Sequence, residues 1–222
     1  MGGVGRRTSG WGLCPLPTKV VAMRSHLARK IALLGLVGCM LFGWNGCALL
    51  GVVYIPDAGL ESAIRASLRK PFGFLTRQDL LRVTEIQAAG LGIRTLQGIE
   101  HCRSLLTLDL RSNQIQSITP LAGLGNLRWL DLSQNRITNI SPLSGLFLLE
   151  WLDLHGPDND IRDWGALVAN AQNGGIGAGT TLTLSPEWTI QSDGTFYDDF
   201  QEVYQILVDA GVKIIFAESS GT

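Results

Sequence analysis

The chain has 222 residues, 45% of them hydrophobic, with 18 basic side chains against 19 acidic ones and four cysteines. Six of the basic residues precede Cys47 and every acidic residue follows it, so the part beyond Cys47 carries a net charge of about −7. That balance excludes a nucleic-acid partner, whose phosphates require a basic face. Only Cys102 remains beyond Cys47, so no internal disulfide can staple that part.

Residues 1–22 hold Gly, Pro and basic residues and no acid, and read as a leader or as a stretch ahead of the true start at Met23. Arg24, His26, Arg29 and Lys30 then precede an uncharged run, Ile31 to Ile55, whose only strongly polar side chain is Asn45. Residues 23–50 therefore read as a signal peptide, a lipoprotein signal or a signal-anchor helix. Leu36-Val37-Gly38-Cys39 has the better lipobox pattern. Cys47 has the better position, with a longer apolar region before it, and is the expected lipidation site with Cys39 as the alternative. Under each reading the basic flank stays inside, and the folded part is extracytoplasmic, membrane-anchored or at the cell surface.

Residues 52–82 form a helical cap. Leu60, Ile64 and Leu68 make one apolar stripe, Asp57 is placed to cap its start, and Pro71 to stop it. Thr76 and Asp79 stand at capping-box spacing before a second short helix.

From residue 83 a 22-residue period takes over. Leu105, Leu108, Leu110, Asn113, Ile115, Ile118, Pro120, Leu121 and Leu124 recur, 22 positions later, as Leu127, Leu130, Leu132, Asn135, Ile137, Ile140, Pro142, Leu143 and Leu146. A period of this length means stacked units that cannot bury their apolar faces alone. The spacing L-x-x-L-x-L-x-x-N-x-I-x-x-I is that of a leucine-rich repeat. Four repeats are expected, at 83–104, 105–126, 127–148 and 149–172. The first carries Leu91 where Asn is due. The fourth carries Pro157 there, and a two-residue insertion gives Asn159 the place instead. Asn113 and Asn135 are read as a structural ladder, because an amide both donates to and accepts from backbone groups at a buried turn.

Past Leu167 the period loosens. Residues 173–217 read as degenerate terminal repeats and a C-terminal cap. A glycine-rich loop, Asn173 to Gly179, is followed by a strand at Thr181–Leu184. A helix from Phe196 to Ala210 buries Phe200, Val203, Ile206 and Leu207, Gly211 stops it, and a last strand carries Val212, Ile214 and Phe216. The closing strand is expected to cover an edge that would otherwise be open. Residues 218–222 are a tail. The fold class is an α/β solenoid: a right-handed leucine-rich-repeat superhelix with a concave parallel β-sheet, a helical N-terminal cap and a C-terminal helix–strand end.

Pro56 to Arg65, Thr76-Arg77-Gln78-Asp79-Leu80 and Gly98-Ile99-Glu100, together with the 22-residue repeats, resemble the internalin-like bacterial leucine-rich-repeat proteins over roughly residues 52–217. That resemblance implies an exported or surface protein that binds other proteins.

The strand residues between the leucines line up in columns on the concave face. One reads Glu85, Thr107, Trp129, Trp151; the next Gln87, Asp109, Asp131, Asp153; the third Ala89, Arg111, Ser133, His155. Trp129 and Trp151, with Asp109, Asp131, Asp153, Arg111 and His155, are the expected ligand-binding residues, since a rigid exposed indole is a frequent anchor of recognition. The simpler reading is that the two rings pack on each other and on the Asp row. An acidic column predicts a protein partner with a basic patch. The alternatives are a carbohydrate or cell-envelope polymer stacked on the Trp pair, and a spacer with no ligand. Ser133, Asp153 and His155 can be drawn as a triad, but no glycine elbow follows Ser133. No phosphate loop, metal-ligand spacing or cofactor motif is present, so no enzyme, metal or cofactor is expected. Cys102 falls on the column of Leu124 and Leu146 and reads as a small buried apolar residue.

Overall fold

A computed structural model describes residues 51–217. The expected leader (1–22), the signal or anchor segment (23–50) with Cys39 and Cys47, and the tail (218–222) lie outside the described residues.

The cap comes first. Helix α1 (Ala58–Leu68) begins where Asp57 Oδ1 accepts the N–H groups of Gly59 and Leu60, at 3.0 and 3.1 Å. It ends before Pro71, at Arg69, which takes a left-handed conformation and returns its N–H to Ala66 O. Leu60 and Ile64 are fully buried. Helix α2 (Arg77–Leu80) carries the reciprocal box: Thr76 Oγ1 accepts from Asp79 N–H, and Asp79 Oδ2 accepts from Thr76 N–H.

Six short strands follow: β1 (Glu85–Gln87), β2 (Thr107–Asp109), β3 (Trp129–Asp131), β4 (Trp151–Asp153), β5 (Thr181–Leu184) and β6 (Lys213–Phe216). They form one parallel sheet in strict sequence order. Its register aligns Ile86, Leu108, Leu130, Leu152, Leu182 and Ile214 in one inward row. The inward leucines of the middle repeats are removed from water almost completely, each contributing about 1.5–3 kcal/mol by that transfer. Opposite the sheet, the chain returns through 3-10 turns at Ile99–His101, Thr119–Leu121 and Ser141–Gly145. Proline suits the first positions of the last two, where its missing N–H has no intrahelical partner anyway.

The ladder amides set the spacing between turns. Asn135 Oδ1 accepts from Ile115 N–H at 3.0 Å, while its Nδ2 donates to Leu110 O, Leu132 O and Ser133 O. Asn113 does the same one repeat earlier, reaching Ile93 N–H and Ala88 O, and Asn159 one repeat later, reaching Ile137 N–H and Leu132 O. Each amide thus reaches back into the preceding repeat. The first repeat has none behind it, and Leu91, in the ladder position, stands exposed between Gly90 and Gly92, both at positive φ.

In the fourth repeat the return path is an α-helix, α3 (Gly165–Gln172), instead of a 3-10 turn. Its Asn170, fully buried, donates to Leu143 O at 2.8 Å and accepts from Ile176 N–H at 2.8 Å. Helix α4 (Asp198–Asp209) then packs Phe200 against Trp164, ring centroids 5.1 Å apart, and covers the end of the core. Strand β6 pairs only with β5 among the described residues. It is therefore itself the sheet edge, where the sequence suggested that it would close one. Lys213 and Ile215 face outward along it, and a charged Lys on an edge discourages further pairing.

Candidate functional site

The concave columns are assembled in register, Thr107 beside Trp129, Trp129 beside Trp151, and Trp151 beside Thr181. Neighbouring parallel strands sit about 4.8 Å apart, close to the stacking distance of aromatic rings. Trp129 and Trp151 accordingly lie face to face, centroids 4.4 Å apart and planes 3° from parallel. Both are partly buried. Each ring spends one face on the other, and the second faces look along the column toward Thr107 and Thr181.

The pair borders an open cleft of about 490 Å³ lined also by Arg111, Ser112, Asp131, Ser133, Gln134, Asp153 and His155. Ser112 and Gln134 escaped the sequence reading. Both stand one residue before a ladder Asn, at φ 56° and 52°, and Ser112 Oγ donates to Gln134 Oε1 at 2.6 Å. Gly156 holds the matching place in the next repeat at φ 132°. The signal was the position before each Asn, where a positive φ brings the side chain onto the cleft rim.

The aspartates differ from the open column that alternation suggested. Asp109, Asp131 and Asp153 are only 4%, 4% and 7% exposed. The carboxylates fold over the strand ends, each accepting the backbone N–H two residues on: Arg111 at 3.1 Å, Ser133 at 2.9 Å and His155 at 2.9 Å. This satisfies donors just where the ladder ends. Two of the three also have a cationic or potentially cationic neighbour. Arg111 Nε lies 3.5 Å from Asp109 Oδ2, and His155 Nδ1 lies 2.7 Å from Asp153 Oδ1. A carboxylate only accepts, so that imidazole nitrogen carries the proton. Among the described residues Asp131 has only Ser133, through its N–H and its Oγ at 2.6 Å. Burial pushes the Asp131 carboxyl up from its ordinary value, the Ser133 bonds oppose this, and the charges of Asp153 and Asp109 reinforce it.

The drawable triad is not assembled. Ser133 is 2% exposed and gives its hydroxyl proton to Asp131, and His155 is turned to Asp153. Among the described residues, no group of His, Cys, Asp and Glu is placed to hold a metal ion. Cys102 is buried, and desolvation first, with the charge of Glu100 second, raises its thiol to about 12.

Residues 103–161 match the family described as leucine rich repeat. A segment of 65 residues is 46% identical to Internalin H of Listeria monocytogenes, covering 28% of this chain and 12% of that relative. Among solved structures, an internalin (inlF) of the same species aligns over 59% of this chain and 44% of that one, at 29% identity and a TM-score of 0.44. An internalin C2 of the same species aligns over 73% and 94% of the two chains, at 21% identity and a TM-score of 0.34. The chain thus spans about an eighth of the curated relative that it matches.

Proposed function

From the premise that this is an internalin-like leucine-rich-repeat protein, we propose that it is exported, held at the membrane by its N-terminal segment, and binds another protein in its concave cleft. The two rings pack on each other, as the simpler reading had it, and the observation that carries the binding reading is that the stacked pair still lines an open cleft. Stacking removes one face of each ring and holds both indoles rigid, so little conformational entropy is lost when a partner covers their edges.

Asp131 supports a basic contact on the partner. Among the described residues it is the one carboxylate of the row without a cationic neighbour, and burial first, with the charges of Asp153 and Asp109 behind it, opposes its ionisation. A Lys or Arg of the partner would supply the cation that Asp131 lacks, and the field of the row would speed encounter. Arg111 and His155, 59% and 30% exposed at their side chains, are placed on the rim to receive polar or acidic groups. A carbohydrate platform is less well served, since a sugar ring packs on an indole face and the inner faces here are taken. Export and anchoring rest on the basic residues before the uncharged run from Ile31, and lipidation at Cys47, or at Cys39, would provide the anchor.

The test is capture from extracellular and envelope extracts by the immobilised chain, with Trp129→Ala/Trp151→Ala as the parallel bait. A protein retained by the first and lost from the second, more weakly held as salt rises, is the expected result. Identical captures remove the Trp pair as the site and leave a spacer or another surface.

A further inference from the structure

Three aromatic side chains on the N-terminal cap stand largely outside the fold: Tyr54 is 78% exposed, Phe72 79% and Phe74 61%. Single exposed apolar residues are ordinary, whereas a cluster of large ones marks a contact surface. These three are gathered by one small structure. Val52 bridges Thr76 in antiparallel register, Val53 N–H donates to Leu75 O at 2.8 Å, and Arg77 N–H donates to Gly51 O at 2.8 Å. Val53 and Leu75 are buried, so alternation sends Tyr54 and Phe74 to the opposite side, and continuing the register sets them across from each other. Phe72 follows two residues before Phe74.

The loop that carries the phenylalanines is fixed in shape. The Arg65 guanidinium donates to Lys70 O at 3.2 Å and to Gly73 O at 2.9 Å, and Lys70 Nζ is paired with Asp79 at 2.7 Å. The backbone on both sides of Phe72 is therefore tied down while its ring stays exposed. Arg69 and Arg77 flank Phe72 and Phe74 in sequence, exposed and without an acidic partner among the described residues, while Glu61 and Asp79 are paired with Arg65 and Lys70 and Asp57 is taken up by backbone N–H groups. The local surface is apolar and basic on a domain that is otherwise acidic.

Its place in the chain says what covers it. Gly51, bonded to Arg77, lies in the last part of the uncharged run from Ile31 to Ile55, just beyond the expected signal or anchor segment, 23–50. With the segment 23–50 in a bilayer, Tyr54 is only four residues beyond Leu50, a reach of about 14 Å at most, within the headgroup region. Aromatic rings and basic side chains are the groups that settle there. We propose that Tyr54, Phe72 and Phe74, ringed by Arg69 and Arg77, form a foot that lays the cap on an anionic lipid surface and so fixes the angle at which the concave cleft is presented. This rests on the anchoring reading above.

The test uses the full chain reconstituted in vesicles of phosphatidylcholine, with or without phosphatidylglycerol. An environment-sensitive fluorescent amino acid is encoded in place of Phe72, of Phe74, or of the exposed Ser192 in the C-terminal part. Lipids brominated in their acyl chains should shift the first two reporters to the blue and quench them about two-fold or more, most strongly with phosphatidylglycerol, and leave the third unchanged. Arg69→Gln/Arg77→Gln should remove the phosphatidylglycerol dependence. A chain that floats with the vesicles while all three reporters stay unquenched overturns the foot and leaves the anchor intact. A chain that does not float overturns the anchor, and the foot with it.

Discussion

Removing the Asn135 amide is the sharpest perturbation of the solenoid. The side chain is 1% exposed and makes four hydrogen bonds to backbone groups. Its acceptors are shared: Leu110 O also receives Asn113, Leu132 O also receives Asn159, and Ser133 O also receives Ser112 N–H. Among the described residues the Ile115 N–H has no second acceptor. In Asn135→Ala that donor is buried and unsatisfied, a penalty of about 1–3 kcal/mol, and the vacated volume adds to it. We expect a loss of about 2–3 kcal/mol, lowering the melting midpoint by roughly 5–10 °C for a domain of this size. Asn135→Asp keeps the acceptor for Ile115 but turns an oxygen toward three carbonyl oxygens and buries a charge, so it should cost more than alanine. Circular-dichroism melts of the three proteins decide the matter. A midpoint for Asn135→Ala within a degree of the parent, or an aspartate tolerated as well as the asparagine, would refute the reasoning.

Gly156→Ala should destabilise by about 3 kcal/mol or more, because φ is 132° and an added Cβ would lie 2.7 Å from Gln134 N; urea titration reads it directly. Asp131 is raised in the folded state, so protonation is favoured by folding. Its contribution is greatest in acid and is lost as pH rises through the folded value. Asp131→Asn should therefore raise the melting midpoint at neutral pH and flatten its decline from acid to neutral; a midpoint that falls at neutral pH would show that the charge is wanted in the fold. Asp79 lies the other way, at about 2, held down first by the Lys70 hydrogen bond against some desolvation and then by Thr76. Its stabilisation is present above the usual carboxylate range and is lost as pH falls toward 2, so Asp79→Ala should shift the acid end of the stability profile and leave the alkaline end parallel to the parent. Cys102, with its thiol near 12, should resist iodoacetamide in the native chain and react once urea unfolds it; mass mapping of Cys102 labelled under native conditions would contradict its burial.

The repeat was plain in the sequence because its physics is periodic. Leucines that must face one core recur at the same offset, and so do the amides that satisfy the turns between them. What lay hidden depended on three-dimensional contact within a column. Alternation places Asp109, Asp131 and Asp153 on the outward side of the strands. It says nothing of a short side chain bending back onto the N–H two residues on, which is what buries them. It places Trp129 and Trp151 side by side, and there the simpler reading, two rings packed on each other, is what the strand spacing produces. Asn170 and the helix around it were missed because the 22-residue period loosens past Leu167, where the offset no longer marks inward positions. In fact Gly175 is required there: an added Cβ would stand 1.9 Å from Asn170 Oδ1.

The strictly sequential strand order, β1 to β6, makes the domain extensible like a chain of interchangeable links. Between β1 and β4, every strand meets only partners 22 residues away along the backbone, so no distant segment has to find its place before a new one can join. A duplicated 105–126 segment would present both the faces that its neighbours expect, lengthen the sheet by one strand, and carry the cap and the Trp pair farther apart without rewiring either. Ligand reach in such a protein can change by whole modules, while the chemistry at each position stays the same.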